Sequence, residues 1–279
     1  MPGLECNCVF GSVNYPDNYF WAGSMKRLYV YSLVGFIFSF SAFSFAADAT
    51  KDIVLTSLDW PPFTSPSIGG GGMTSIIVKQ AFEHEGYNLK IEFEPWETAV
   101  SRAMNDKSVS GYFPEYYSSD IEDRCVFSDA IGTSMVVFAH RNGETVKSAS
   151  LADLKSTEVG VVSGYVNEEN FDHAVAEKKI PVLESVDDVE NVKNLLDHKV
   201  DLAVIDKRVL SYWMLHDDEL KGHLQQVKYN PGGLKLHGLY VCFTGPEAKE
   251  HADVLARGLK ALDPMGFGLQ NDPMYKGKM

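Results

Sequence analysis

Short apolar runs of period two alternate along the chain with stretches whose apolar residues recur every three to four positions. Runs rich in β-branched and aromatic residues predict strands at "DIVLTSL" (52–58), "LKIEFE" (89–94), "SGYF" (110–113), "SMVVFAH" (134–140), "EVGVV" (158–162), "DLAVID" (201–206) and "GLYVCF" (238–243). Between them, residues 73–85, 96–106, 167–178, 186–199 and 247–262 carry helical spacing. Gly86 supplies a stop for the first, because glycine readily takes the left-handed conformation that ends a helix. Strands alternating with helices imply a parallel, layered α/β sheet. Two segments echo each other, "AMNDKSVSGYF" (103–113) and "LLDHKVDLAVI" (195–205): each runs from an apolar helix end through a lysine-bearing turn into a buried strand. The echo suggests two lobes built alike, although any helix-turn-strand unit shares this plan.

One apolar stretch stands outside the alternation. From Met25, "MKRLYVYSLVGFIFSFSAFSFAADA" places a basic pair, an apolar run and small residues in the order of a secretory signal peptide, with cleavage expected before Ala47. The run is about long enough for a transmembrane helix. Its four serines, its end in small residues without positive charges, and the lack of a second span favour the cleaved leader. Residues 1–24, rich in Pro, Asn and Gly without a clear period, read as an upstream extension ahead of the native start. The expected location is the periplasm, with no lipid anchor, since no cysteine follows the run closely.

Cleavage would remove two acids (Glu5, Asp17) and two bases (Lys26, Arg27), so the net charge stays at −13. An acidic surface of that size argues against nucleic acid or an anionic membrane face as the main partner. Cys6 and Cys8 would go with the leader, leaving Cys125 and Cys242. An oxidising compartment permits one bridge, but both residues lie in apolar runs, where lone buried cysteines are common, and spacing does not show that they meet.

Enzyme signatures are absent from the sequence after the leader: there is no G-x-S-x-G, no H-E-x-x-H, no C-x-x-C and no phosphate loop ending in Lys-Ser or Lys-Thr. "GGGGMTS" (69–75) precedes a helix, but without a lysine it reads as a flexible turn before it reads as an anion cradle. The histidines at 84, 140, 173, 198, 216, 223, 237 and 251 have no metal-ligand spacing, and no metal or cofactor is expected. What remains is an aromatic and polar set at strand ends: "SLDWPPF" (57–63), "EPWET" (94–98), "GYFPEYY" (111–117), "VSGYVNEE" (162–169) and "VID" (204–206). Ligands of open α/β sheets bind outside the carboxyl ends of strands, so these segments could face one crevice. Ordinary core packing is the competing account of their aromatics.

These segments also carry a likeness. Strand-W-P-P-F, then "FEPWETAVSRAM" (93–104), "FSDA" (127–130), "LADLKSTEVGVVSG" (151–164) and "KVDLAVID" (199–206), taken in order, resemble the family 3 periplasmic solute-binding proteins, the polar amino-acid receptors of ABC importers. The likeness covers nearly all of residues 51–279. It implies a two-lobed clamshell of the type II periplasmic-binding-protein fold, with the chain crossing between lobes twice: 47–133 plus 238–279 in lobe one, 134–237 in lobe two. Both remaining cysteines would then share lobe one, which makes a disulfide between them more plausible than their spacing alone does. It also implies a monomer that closes on a small polar solute by hinge motion and delivers it to a membrane permease.

By the resemblance, Trp60 covers the ligand and Trp96 is the second stacking aromatic. Ser163, Gly164 and Tyr165 form a loop and helix start that receives a carboxylate, Asp206 receives an ammonium, and Tyr112 belongs to the bulky aromatic segment at the crevice. Such roles suit the chemistry: aromatic faces attract cations, helix amides attract anions, and carboxylates pair with amines. Two departures stand out. The family's carboxylate-clamping arginine, six residues before the Phe-Ser-Asp, is Ile121 here, and the nearest arginine is Arg124. The small polar residues that normally precede it are replaced by "YFPEYY". Cyclohexadienyl dehydratases also resemble the family, which leaves an enzyme as an alternative with Glu115 as the general acid. A sensor acting through a partner is a further one.

Overall fold

The computed structural model describes residues 51–144 and 151–262. The expected leader, Cys6, Cys8 and the C-terminal residues 263–279 lie outside the described residues.

Ten strands form one curled sheet: β1 (Lys51–Ser57), β2 (Tyr87–Phe93), β3 (Gly111–Glu115), β4 (Val126–Phe127), β5 (Gly132–Arg141), β6 (Val159–Val162), β7 (Val182–Ser185), β8 (Leu202–Asp206), β9 (Val227–Tyr229) and β10 (Lys235–Phe243). Among the described residues seven α-helices accompany them: α1 (Met73–His84), α2 (Trp96–Asn105), α3 (Ser119–Glu122), α4 (Glu169–Ala176), α5 (Asp188–Leu196), α6 (Lys207–His216) and α7 (Ala248–Leu262). The main strand order is β2-β1-β3-β10-β5-β8-β6-β7.

The expected parallel sheet is corrected in its middle. β1, β2 and β3 pair in parallel at one end, and β6, β7 and β8 at the other. Between them β10 and β5 run antiparallel to each other and to their outer neighbours. Each of the two long strands serves both halves. β10 pairs with β5 over Lys235–Leu239 and with β3 over Tyr240–Phe243, while β5 pairs with β10 up to Val136 and with β8 from Val136 to Ala139. These two strands are the crossovers between lobes, and a chain that leaves one lobe and returns must traverse the gap in opposite senses.

The helices form where the apolar period placed them. α1 buries Thr74, Ser75, Val78, Ala81 and Phe82 along one stripe, and Gly86 beyond it takes φ 80°. Its start needs Gly72 at φ 97°, where a Cβ would stand 2.5 Å from the Phe63 carbonyl oxygen. α5 is shorter than the period predicted because Asp187 caps it, its side chain accepting from the Glu190 amide. α6 lies outside the helices the apolar period predicts: Asp206 ends β8 and caps α6 at once, so no turn residues separate strand from helix. The echoed segments are indeed matching units, α2 into β3 and α5 into β8.

The pairing of the two cysteines, which the sequence leaves open, is settled by the fold. Cys125 and Cys242 are disulfide-bonded, with Cα atoms 5.5 Å apart. Register brings them together, because β10 pairs with β4 at Cys242 and Phe127. Around the bridge a small apolar cluster gathers Ala103, Val109, Tyr112 and Ile121. No helix among the described residues is long and apolar enough to cross a membrane.

Candidate functional site

The lobes meet at the carboxyl ends of β1 and β3, where Leu58, Trp60, Trp96, Pro114, Glu115, Tyr116, Tyr165 and Val166 line a small, half-open chamber of ≈ 30 Å³. Local sequence explains how each wall is fixed. Trp60 sits in a tight turn, its amide donating to the Thr64 carbonyl at 2.7 Å, and stacks on Phe63 with ring centroids 4.6 Å apart. Trp96 opens α2 immediately after Pro95, and its ring meets Tyr112 and Tyr165 edge-on at 5.5 and 6.0 Å. Trp96 Nε1–H then crosses to lobe two and donates to the Gly164 carbonyl at 3.0 Å. Beside it the Ser163 hydroxyl donates to Glu97 Oε1 at 2.8 Å, so the two lobes are tied at the rim. Gly164 holds φ 75°, and a Cβ there would stand 3.4 Å from the Trp96 ring.

Three carboxyl groups are buried here, Glu115 in the chamber wall and Asp188 and Asp206 behind it. Glu115, 4 % exposed at the end of β3, accepts from the Tyr116 amide at 2.8 Å. Burial pushes its carboxyl up to about 7, against smaller opposing effects from the Tyr116 amide, the Tyr112 hydroxyl and the Arg124 charge. Asp188, 3 % exposed in the first turn of α5, accepts from the Tyr165 hydroxyl at 3.3 Å. Burial raises it to about 7 as well, with the Tyr165 hydroxyl opposing and the charges of Asp187 and Asp206 adding to the rise. Asp206 is the most engaged of the three: Ser134 Oγ, the Met135 amide and the Arg208 and Val209 amides all donate to it, at 2.6, 2.8, 2.6 and 3.0 Å. Burial still raises its pKa. None of the three makes an ion pair among the described residues.

A hydrogen-bonded chain links the lobes beneath the chamber. The Tyr116 hydroxyl donates to Ser134 Oγ on β5, which donates to Asp206 at the head of α6. Tyr116 also stacks on His237 of β10 at 4.1 Å, and His237 Nε2 bonds the Asn167 carbonyl. The chamber adjoins a larger outer cleft of ≈ 820 Å³, with Tyr165 and Val166 lining both. Arg124, Lys235 and His173 face that cleft together with Asp120, Glu169 and Asp172.

The structure thus brings Trp60, Trp96 and Tyr165 into one wall, with Asp206 connected to it through Ser134 and Tyr116. Ser163 and Gly164 form its rim. Their loop is less free than the resemblance implies, because the Ser163 and Tyr165 amides bond the Ser185 and Val162 carbonyls and α4 begins only at Glu169. Tyr112 lies behind Trp96, fully buried, and Arg124 reaches the outer cleft but not the chamber wall. Ile121, at the position of the family's arginine, is buried in the cluster around the disulfide. Asp188, Tyr116 and Ser134 were not singled out from the sequence. The acidic pair in "SVDDVE" after a short strand was the available signal for Asp188.

No family model and no curated protein matches the sequence. Solved structures do match in fold. Holo ArgBP from T. maritima aligns with TM-score 0.63 at 15 % identity over 81 % of this chain and 93 % of that one. An ancestral arginine-binding protein bound to arginine gives 0.64 at 17 %, over 82 % and 96 %. The GluR0 ligand-binding core from Nostoc punctiforme in complex with (L)-glutamate gives 0.60 at 20 %, over 75 % and 92 %. A histidine kinase sensor domain with similarity to periplasmic binding proteins gives 0.66 at 15 %, over 77 % and 91 %. With β5 and β10 crossing between two like lobes, this chain has the two-lobed fold of the periplasmic binding proteins.

Proposed function

We propose that the protein is a family 3 solute-binding receptor that captures a small polar solute, an amino acid or related compound, between its lobes in the periplasm and delivers it to an ABC-type permease. The observation that carries this reading is the chamber itself: aromatic walls and buried acceptors contributed by both lobes, at the crossing of two shared strands. A ligand held there touches both lobes, so its binding energy biases the hinge, and a permease can read the resulting shape. Binding-protein neighbours support the reading, and so does the lack of enzyme motifs.

A thermal-shift screen with amino acids, polyamines, small carboxylates and aromatic metabolites tests it, because a ligand that binds only the native state raises stability by RT ln(1 + [L]/Kd). A dose-dependent rise with at least one solute is expected. Silence across all classes would count against the receptor reading. A second reading rests on Glu115, whose raised carboxyl could act as a general acid near neutral pH, as a dehydratase of the cyclohexadienyl type requires. Turnover of prephenate or arogenate would establish that alternative. Ligand-dependent capture of a membrane receptor instead of a permease would favour a sensor.

A further inference from the structure

Three carboxyl groups are buried around the chamber without an ion-pair partner among the described residues, which is costly unless something supplies the missing charge. The Tyr112 hydroxyl, 0 % exposed, lies next to Glu115, and Trp60 Nε1, in the chamber wall, faces Asp188. Glu115 and the Tyr112 hydroxyl can both accept from one incoming donor. The indole and phenol rings of Trp60, Trp96, Tyr116 and Tyr165 enclose that position, and aromatic faces attract cations.

On the receptor reading above, we propose that the chamber selects an organic cation, an ammonium or guanidinium group seated on Glu115 between the aromatic walls, with Asp188 acting from behind through the Tyr165 hydroxyl. The acceptors come from opposite lobes, Glu115 from β3 and Asp188 from α5, so the cation draws the lobes together. At ≈ 30 Å³ the chamber leaves room for no more than a small head group, and the rest of such a solute would extend into the adjoining outer cleft. Among the described residues no cationic side chain lines the chamber: Ile121 stands in the apolar cluster, and Arg124 faces the outer cleft. Recognition of the cation is therefore independent of a carboxylate on the same ligand.

Both acids must be ionised to hold a cation well. Glu115 is faced by Tyr112, the Tyr116 amide and, at longer range, Arg124; Asp188 is faced by Tyr165, Trp60, Asp187 and Asp206. With both carboxyls raised to about 7, cation affinity rises with pH through neutrality. For one group, the ionised fraction and with it the affinity changes about 10-fold between pH 6 and pH 8.

The test is calorimetric titration of the full chain with agmatine, arginine, 1,4-diaminobutane, glutamine and glutamate at both pH values, for the native protein, Glu115→Gln and Asp188→Asn. Agmatine carries the guanidinium of arginine without its carboxylate. The expected result is binding of agmatine at pH 8, weaker by about 10-fold at pH 6 and by 10-fold or more in Glu115→Gln, with a smaller loss in Asp188→Asn. Binding of glutamine or glutamate with every cation inert would overturn the cation inference and leave the receptor reading standing. A cation bound equally well by Glu115→Gln and at both pH values would overturn the assigned seat. Silence from every solute would overturn both readings.

Discussion

Replacing Glu115 by Gln is expected to stabilise the protein at alkaline pH while leaving it little changed in mild acid. The carboxyl rises from its ordinary 4.5 to about 7 in the folded state, because the end of β3 is sealed from water. A folded-state pKa above the unfolded one means that the native protein holds the proton more tightly. Stability is therefore full below the unfolded value and declines as pH rises toward the folded one. The gap is about 2.5 units, which at about 1.36 kcal/mol per unit amounts to ~3 kcal/mol across the whole range. Between pH 5 and pH 8 the difference is about 2.5 kcal/mol, since part of the loss has already occurred at pH 5.

Glutamine has the same length and keeps an oxygen to accept from the Tyr116 amide, but it has no charge to desolvate. Thermal unfolding of the native protein and Glu115→Gln at the two pH values, disulfide intact and no ligand added, reads the effect directly. For a domain of this size ~2.5 kcal/mol corresponds to a relative gain of about 5–10 °C for the variant at pH 8 over pH 5. Parallel pH profiles for the two proteins would refute the claim that Glu115 is buried as a costly charge, and the electrostatic argument for a cation would fall with it.

Three other outcomes follow from the geometry. Asp206→Ala removes the acceptor of four hydrogen bonds, two of them from the first turn of α6, and should cost ~3 kcal/mol, read as a fall in the urea midpoint with the m-value unchanged. Unchanged stability would show that those donors find other partners. Reducing the Cys125–Cys242 bridge, which closes a sequence separation of 117, should cost about 4 kcal/mol, seen as a lower melting temperature in dithiothreitol but not in a Cys125→Ser/Cys242→Ser variant. Gly258→Ala should destabilise by about 1–3 kcal/mol, although alanine favours helices, because its Cβ would lie 2.1 Å from the Ala81 carbonyl oxygen where α7 packs on α1; a stabilised variant in chemical denaturation would contradict that close approach.

Trp60, Trp96 and Tyr165 were legible as crevice residues because each follows a strand, and strand ends are where the layered fold opens. Asp206 was legible as an acid at the same edge, but its engagement by Ser134 and three amides was not, since Ser134 is 72 residues away in the chain. Asp188 gave the weakest signal: in sequence it is one of two adjacent acids at a helix start, where exposed acids are common. Only the packing of α5 against β6 and β8 buries it while leaving Asp187 as the cap.

Local pattern determined what depends on a few neighbouring residues. The period of apolar positions set α1, α2, α7 and the long strands, and the order of motifs along the chain specified two similar lobes. Tertiary structure alone decided what depends on register between distant segments. β5 and β10 run antiparallel through the middle, Cys242 is delivered to Cys125, and three carboxyls are buried at or behind the aromatic rings. The physical reason lies in the reach of the interactions. Helix and strand periodicity is fixed by contacts within a turn or across a pleat, whereas desolvation, disulfide pairing and the acidity of Glu115 depend on which surfaces are brought together when the lobes meet.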